Sequence, residues 1–220
     1  MSAQTWGPAV VGSLAGLGAD VRAALTRRTL PDDPALVASV GRIILDVRTR
    51  GDRALLEMAE RFDGVALASL EIPRRRWREA LDALDGATRR ALQRAARNIE
   101  RFHAAQRPTD VTAEVEPGVR VTRRWTPVAA VGVYAPGGRA AYPSSVLMGV
   151  VPARVAGVAE IVVCSPPGPD GTPPAGVLAA CALAGATRLF AVGGAGAVAA
   201  LAYGTDTVPA TDAVVGPGNR

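Results

Sequence analysis

One pattern leaves few folds open to this chain. From residue 128 onward, short apolar and largely β-branched runs alternate with helix-forming segments, and the series closes on a fourth run. The spacing predicts strands over 128–134, 161–164, 189–192 and 213–215, with helices over 146–156, 175–184 and 195–203 between them. Runs this short and this apolar fit strands buried on both faces. A helix between each pair implies right-handed βαβ crossovers and a parallel sheet. The expected fold class is α/β: an N-terminal helical segment, then an incomplete Rossmann-like parallel sheet flanked by helices. It reads as incomplete because the fourth strand runs straight into Gly216-Pro217-Gly218-Asn219-Arg220, with no helix after it.

Ligands of open parallel sheets bind beyond the carboxyl ends of the strands. Here those ends carry Tyr134-Ala135-Pro136-Gly137-Gly138, Ser165-Pro166-Pro167, Gly193-Gly194 and Gly216-Pro217-Gly218-Asn219. Three of the four are glycine-rich, so a flat or phosphorylated ligand could approach the backbone closely. After the first strand, Ser144 and Ser145 are expected to cap the next helix, which would make a ready anion site. A strand-to-helix connection with no ligand uses the same residue types, so the pattern by itself leaves both readings open.

The part before residue 128 is helical. Residues 1–31 are Gly- and Ala-rich and predict an arm with one short helix over 21–27. Asp32-Asp33-Pro34 is a helix start, and Leu36, Val37, Val40, Ile43, Ile44 and Val47 then recur at helical spacing. Asp52 is expected to cap a second helix that ends at Asp63-Gly64. Further helices are expected over 74–83 and over 87–105, the latter with Leu92, Ala95, Ala96, Ile99 and Phe102 toward the core. Alternation over 119–128 predicts a half-exposed strand or hairpin arm. The expected organisation is an arm (1–31), a helical part ending in that hairpin (32–127) and a Rossmann-like NAD-binding domain (128–220).

Charge supports the boundary and narrows the partners. The formal net charge is +5, and every basic residue is Arg. Up to residue 125 there are 21 Arg against 16 acidic residues; beyond it there are four of each. The excess lies on helices that also carry many acids, which fits a salt-bridged surface better than a nucleic-acid footprint. No apolar run reaches the roughly 18 residues of a membrane helix, and the N-terminus lacks a signal-peptide pattern. The expectation is a cytoplasmic protein with no nucleic-acid or membrane partner.

The inventory of reactive groups is thin. Cys164 and Cys181 sit in apolar surroundings and read as buried, reduced thiols. With the single histidine, His103, they cannot supply the ligands of a zinc site. His103 ends the helix over 87–105 and has no evident partner as a base. Gly194-Ala195-Gly196-Ala197-Val198-Ala199 matches the dinucleotide fingerprint after a strand and at a helix start, with Asp212 near the spacing of a ribose-binding acid. Small residues packing a helix closely would give the same string.

The stretches 131–148 and 151–158, Gly193 to Thr205 with its Gly-Gly-Ala-Gly-Ala run, and Val215-Gly216-Pro217-Gly218-Asn219 closely resemble histidinol dehydrogenases. Arg48-Thr49-Arg50-Gly51-Asp52 and Arg61-Phe62-Asp63-Gly64 look like that family's N-terminal helices. The resemblance spans most of residues 34–220 and about the first half of the family's usual length. It implies a homodimeric enzyme that oxidises L-histidinol through the aldehyde to L-histidine with two NAD and a zinc ion, the last step of histidine biosynthesis. It also implies that Tyr134 and Asn219 contact NAD. The family's third contact is a glutamine, and this chain has Gly196 there; Gly149 likewise stands where the family often has Asn. The zinc ligands and the Glu-His acid/base pair of the family fall beyond residue 220, so no catalytic or metal-binding residue is assigned. The resulting expectation is an N-terminal fragment of such an enzyme, with a non-catalytic nucleotide-binding or interaction module decayed from the family as the alternative.

Overall fold

Helices come first and the sheet last, as the apolar periodicity requires. A computed structural model describes residues 12–26, 33–137 and 141–218. The helical part comprises α1 (Ala19–Thr26), α2 (Pro34–Arg50), α3 (Asp52–Met58), α4 (Arg74–Asp82) and α5 (Gly86–Ala104). Then come the hairpin strands β1 (Val111–Glu116) and β2 (Val119–Arg123), followed by β3 (Ala130–Tyr134), α6 (Pro143–Ala156) and β4 (Glu160–Ser165). The chain continues through α7 (Ala175–Ala184), β5 (Arg188–Ala191), α8 (Gly194–Tyr203) and β6 (Ala213–Val215). The chain divides into two compact units, Met1–Val37 and Ala38–Arg220. In the first, α1 stands in place of the helix expected over 21–27, and Asp33 Oδ1 accepts the Leu36 amide at 3.0 Å as a helix cap. The rest of the arm, residues 1–11 and 27–31, lies outside the described residues, as does Asp32.

The second unit is built on a four-stranded parallel sheet in the order β5-β4-β3-β6. Counted within the sheet, that is 3-2-1-4, the order of one Rossmann half with its topological switch between β3 and β6. Both faces are covered. Val131, Val133, Ile161, Val163 and Leu189 point to α6 and α7, while Val162, Cys164 and Phe190 point to α8, α3 and α2. Helices α4 and α5 pack outside α6 and α7, contributing Trp77 and Ala96 to the same core. The outer edge of β5 is closed by an antiparallel bridge: the Ile72 amide donates to Leu189 and the Ala191 amide to Leu70. Arg188 reinforces it with a two-pronged ion pair to Glu71, at 2.9 and 2.6 Å.

Several local expectations are corrected, each for a definable reason. Helix α6 begins at Pro143, whose fixed φ suits a first helical position, so Ser144 and Ser145 lie inside the first turn and cap nothing; the residue before the helix is Tyr142. Gly51, at φ +55°, is the residue that turns the chain into α3. Asp52 is thereby freed to accept bonds from the Thr205 hydroxyl and the Thr207 amide. The helical segment does end at Asp63-Gly64: α3 runs on into a π-helix over Ala59–Asp63 that Gly64 closes. In α5, Asp85 caps the amides of Ala87 and Thr88, but Phe102 faces solvent, 63% exposed, rather than the core. The predicted strand over 119–128 stops at Arg123 and pairs with β1 in a two-stranded hairpin, every residue of which is exposed.

Candidate functional site

The strand ends at the topological switch come together through glycine. Tyr134 ends β3, and Gly216 follows β6 beside it. Gly216 has φ +147°, and a Cβ there would lie 2.3 Å from the Tyr134 carbonyl oxygen. No other residue lets the two strand ends run this close. Beyond them opens a cleft of about 360 Å³, bounded by Tyr134, Gly194, Ala195, Val198, Gly216 and Pro217.

Its second wall is the start of α8. Gly193 precedes the helix with no side-chain cap, and Gly194 stands at φ +60° with open space where its side chain would be. A Cβ on Gly193 would meet Pro166 at 2.9 Å, so the loops after β4 and β5 are pressed together. Uncapped helix amides carry partial positive charge. The Gly194 amide donates to the Tyr134 hydroxyl at 3.1 Å, which seats the phenol at the helix end.

A second cleft, about 270 Å³, lies on the other side of the same helix start. Leu55, Met58 and Phe62 of the α3 segment form its apolar wall, Gly193 to Gly196 its floor, and Asp63 its charged rim. Partial loss of water raises the Asp63 carboxyl above its usual range, although the residue keeps access to solvent. A larger groove of about 590 Å³ runs along α2 and α3, away from the strand ends. Arg50 is spent there on Asp46 and Glu57, both at 2.6 Å.

The residues singled out from the sequence separate. Tyr134 stands in the cleft at the switch. Gly196 is buried and lines the second cleft, where a Cβ would come 3.1 Å from Met58 Sδ and 3.3 Å from Leu55 Cδ2. Asn219 lies outside the described residues. Asp212 is not a ribose-binding acid, because it sits at the opposite end of the sheet. It precedes β6, where its carboxylate accepts the Ala130 amide at 2.9 Å and its own amide donates to Ala130 at 3.0 Å. The sequence reading missed Met58 and Phe62 as cleft walls and Asp63 as a rim; its only signal for them was the helix stop at Asp63-Gly64.

The buried thiols behave as expected. Cys164 and Cys181 are free and fully buried, and burial pushes both thiols far above the range where they ionise. Among the described residues, no group of three His, Cys, Asp or Glu side chains could hold a metal ion. The zinc that the resemblance implies finds no ligand set in them.

Comparison with known proteins decides the family. Residues 26–220 match the family model for histidinol dehydrogenase. The chain belongs to the histidinol dehydrogenase family. The histidinol dehydrogenase of Methanothermobacter thermautotrophicus is 47% identical over 195 residues, covering 89% of this chain and 46% of that protein. That of Nocardia farcinica is 50% identical over 208 residues, covering 91% and 46%. The crystal structure of histidinol dehydrogenase from Elizabethkingia anophelis superposes with a TM-score of 0.82 at 31% identity, over 88% of this chain and 45% of that one. This chain thus spans about half the length of the histidinol dehydrogenases it matches. The α/β architecture expected from the strand–helix alternation is the one the family has.

Proposed function

We propose that this chain is the NAD-binding portion of a histidinol dehydrogenase, which oxidises L-histidinol to L-histidine in histidine biosynthesis. Tyr134, Asn219 and Gly196 are the positions assigned to the cofactor. One observation carries the reading: the cleft at the β3/β6 switch joins the Tyr134 phenol, an uncapped helix start and glycine backbone bare enough for close approach. That combination suits a phosphorylated, flat ligand. The residues here bind and orient the cofactor; zinc and the groups that move protons belong to polypeptide outside this chain. A homodimer in the cytoplasm is the assembly and location that the family reading carries with it.

Gly196 favours a second reading, in which the chain is a decayed, non-catalytic nucleotide-binding module. A glycine at the position of the family's glutamine removes a hydrogen-bonding amide from the cofactor site. Complementation separates the two. The chain alone, with NAD, zinc and L-histidinol, is expected to form no NADH. Supplied with the C-terminal half of the Nocardia farcinica relative, it is expected to restore NADH formation. Turnover by the chain alone would contradict the proposed division of labour, and failure of complementation by a folded pair would favour the decayed module.

A further inference from the structure

The salt-bridged surface expected of the helical part is found at Arg50, Arg53 and Arg75, each paired with an acid. It is missing from the outward face of α5. That helix carries ion pairs on one flank only: Arg89 reaches Asp82 at 3.4 Å, and Glu100, the helix's one acid, reaches Arg154 of α6 at 3.2 Å. Arg90, Arg94, Arg97 and Arg101 are exposed, and among the described residues none of them has an acid within salt-bridge reach. At about 100° per residue the four fall within about 60° of arc, a row about 16 Å long. We propose that the outward face of α5 docks an acidic amphipathic helix of a partner protein.

The row lies opposite the core. Ala96 is buried on the inner side of α5, and Leu92 and Ile99 pack beside it, so the arginines stay outward. About 90° round the helix from them, Ala87, Ala91, Asn98 and Phe102 make a second exposed row. The alanines keep that row low, so another helix can approach to the usual separation of about 8–10 Å between axes. Phe102 stands at its end, its ring edge-on to that of His103 with 5.4 Å between centroids, and offers an apolar anchor.

Charge and shape together select the occupant. A guanidinium grips a carboxylate two-pronged, and a helix with glutamates at i, i+4, i+7 and i+11 repeats the spacing of the arginine row. The α5 of a second copy would set arginine against arginine and is repelled. A bilayer surface would meet arginine heads but no broad apolar face, because α5 spends that face on α6 and α7. A nucleic-acid strand would use the arginines and leave the alanines and Phe102 bare. A helix with carboxylates along one row and apolar side chains along the next uses both rows.

The test is a set of fluorescence-anisotropy titrations on the 220-residue chain. The probe is a labelled synthetic helical peptide of about five turns, with glutamates at the spacing above and leucines along the neighbouring row. The chain carries its own sequence, the triple reversal Arg94→Glu/Arg97→Glu/Arg101→Glu, the neutral Arg94→Gln/Arg97→Gln/Arg101→Gln, or Phe102→Ala. Each is checked for an unchanged unfolding midpoint, and the neutral triple decides if the reversal shifts it. The reversal is expected to weaken the peptide about ten-fold or more, the neutral triple less, and Phe102→Ala several-fold. A peptide with lysines in place of the glutamates should bind the reversed chain better than the parent chain. No binding by the parent chain, or binding that neither triple variant weakens, overturns the proposal. So does a parent chain that binds a single-stranded oligonucleotide or phosphatidylglycerol vesicles more tightly than the peptide, since the face would then be a site for any polyanion.

Discussion

The hydroxyl of Tyr134 accepts a 3.1 Å hydrogen bond from the amide of Gly194, tying the end of β3 to the first turn of α8. The bond lies at the sheet's topological switch, where Gly194 is otherwise bare. Removing the hydroxyl with Tyr134→Phe leaves that amide to water, so thermal unfolding should reveal a loss of no more than about 1 kcal/mol. Tyr134→Ala also removes the ring from the cleft, and NAD affinity should fall about ten-fold or more in the same preparations.

Helix α6 lies against β3 at Gly149, where a Cβ would be 2.5 Å from Val133 Cγ1, and Val133 is fully buried. Gly149→Ala therefore overpacks the core and should cost about 1–3 kcal/mol in urea unfolding. Gly41, in α2, has nothing within 4 Å of its missing side chain. Gly41→Ala should be stabilising by about 0.5–1 kcal/mol, so opposite signs at two helical glycines test the packing directly.

Burial raises the thiols of Cys164 and Cys181, which fixes the sign of a pH effect. In the unfolded chain these thiols ionise near about pH 8.5, while in the fold they stay protonated. Their contribution is complete below that pH and is lost as pH rises above it. Stability measured from pH 7 to 10 should fall, and the double variant Cys164→Ala/Cys181→Ala should fall less steeply from a lower start. A thiol reagent at pH 8 should label both cysteines only as the protein unfolds.

On the proposed NAD reading, Gly196 stands where the family resemblance puts a cofactor-contacting glutamine. A new Cβ would press on Met58 Sδ and Leu55 Cδ2, both at the ends of flexible side chains. Gly196→Gln should lower stability slightly, and it should tighten NAD binding several-fold once Met58→Ala makes room. Calorimetric titration of the single and double variants measures both effects. A double variant no tighter than the parent chain would show that the amide is not what the site lacks.

Much of this was legible beforehand, and the misses share a cause. The spacing places helix α7 and strand β6 to the residue: α7 is apolar throughout and mostly buried, and β6, though half-exposed, is a short apolar run between Asp212 and Gly216. The starts of α6 and α3 were misplaced because backbone set them, through Pro143 and Gly51, and not the serine or aspartate side chains that usually signal a cap. Strand β1 carries the same period-two pattern as β2, and Pro117-Gly118 marks its turn, so the hairpin was open to prediction. Its full exposure was not, since alternation reports an apolar face without saying whether anything covers it. Asp63 and Asp212 show the limit most plainly. Spacing along the chain favoured the acid near the fingerprint, whereas the fold carried that acid to the far end of the sheet and brought a distant one to the cleft.

The central claim is that NAD sits at the β3/β6 switch. Amide chemical-shift mapping of the isotope-labelled chain during NAD titration tests it most directly. The account predicts the largest shifts at Tyr134, Gly194, Ala195 and Gly216, with Asp212 and Ala130 at the opposite end unmoved. Shifts centred on Asp212 and Ala130, or none at saturating NAD, would contradict it.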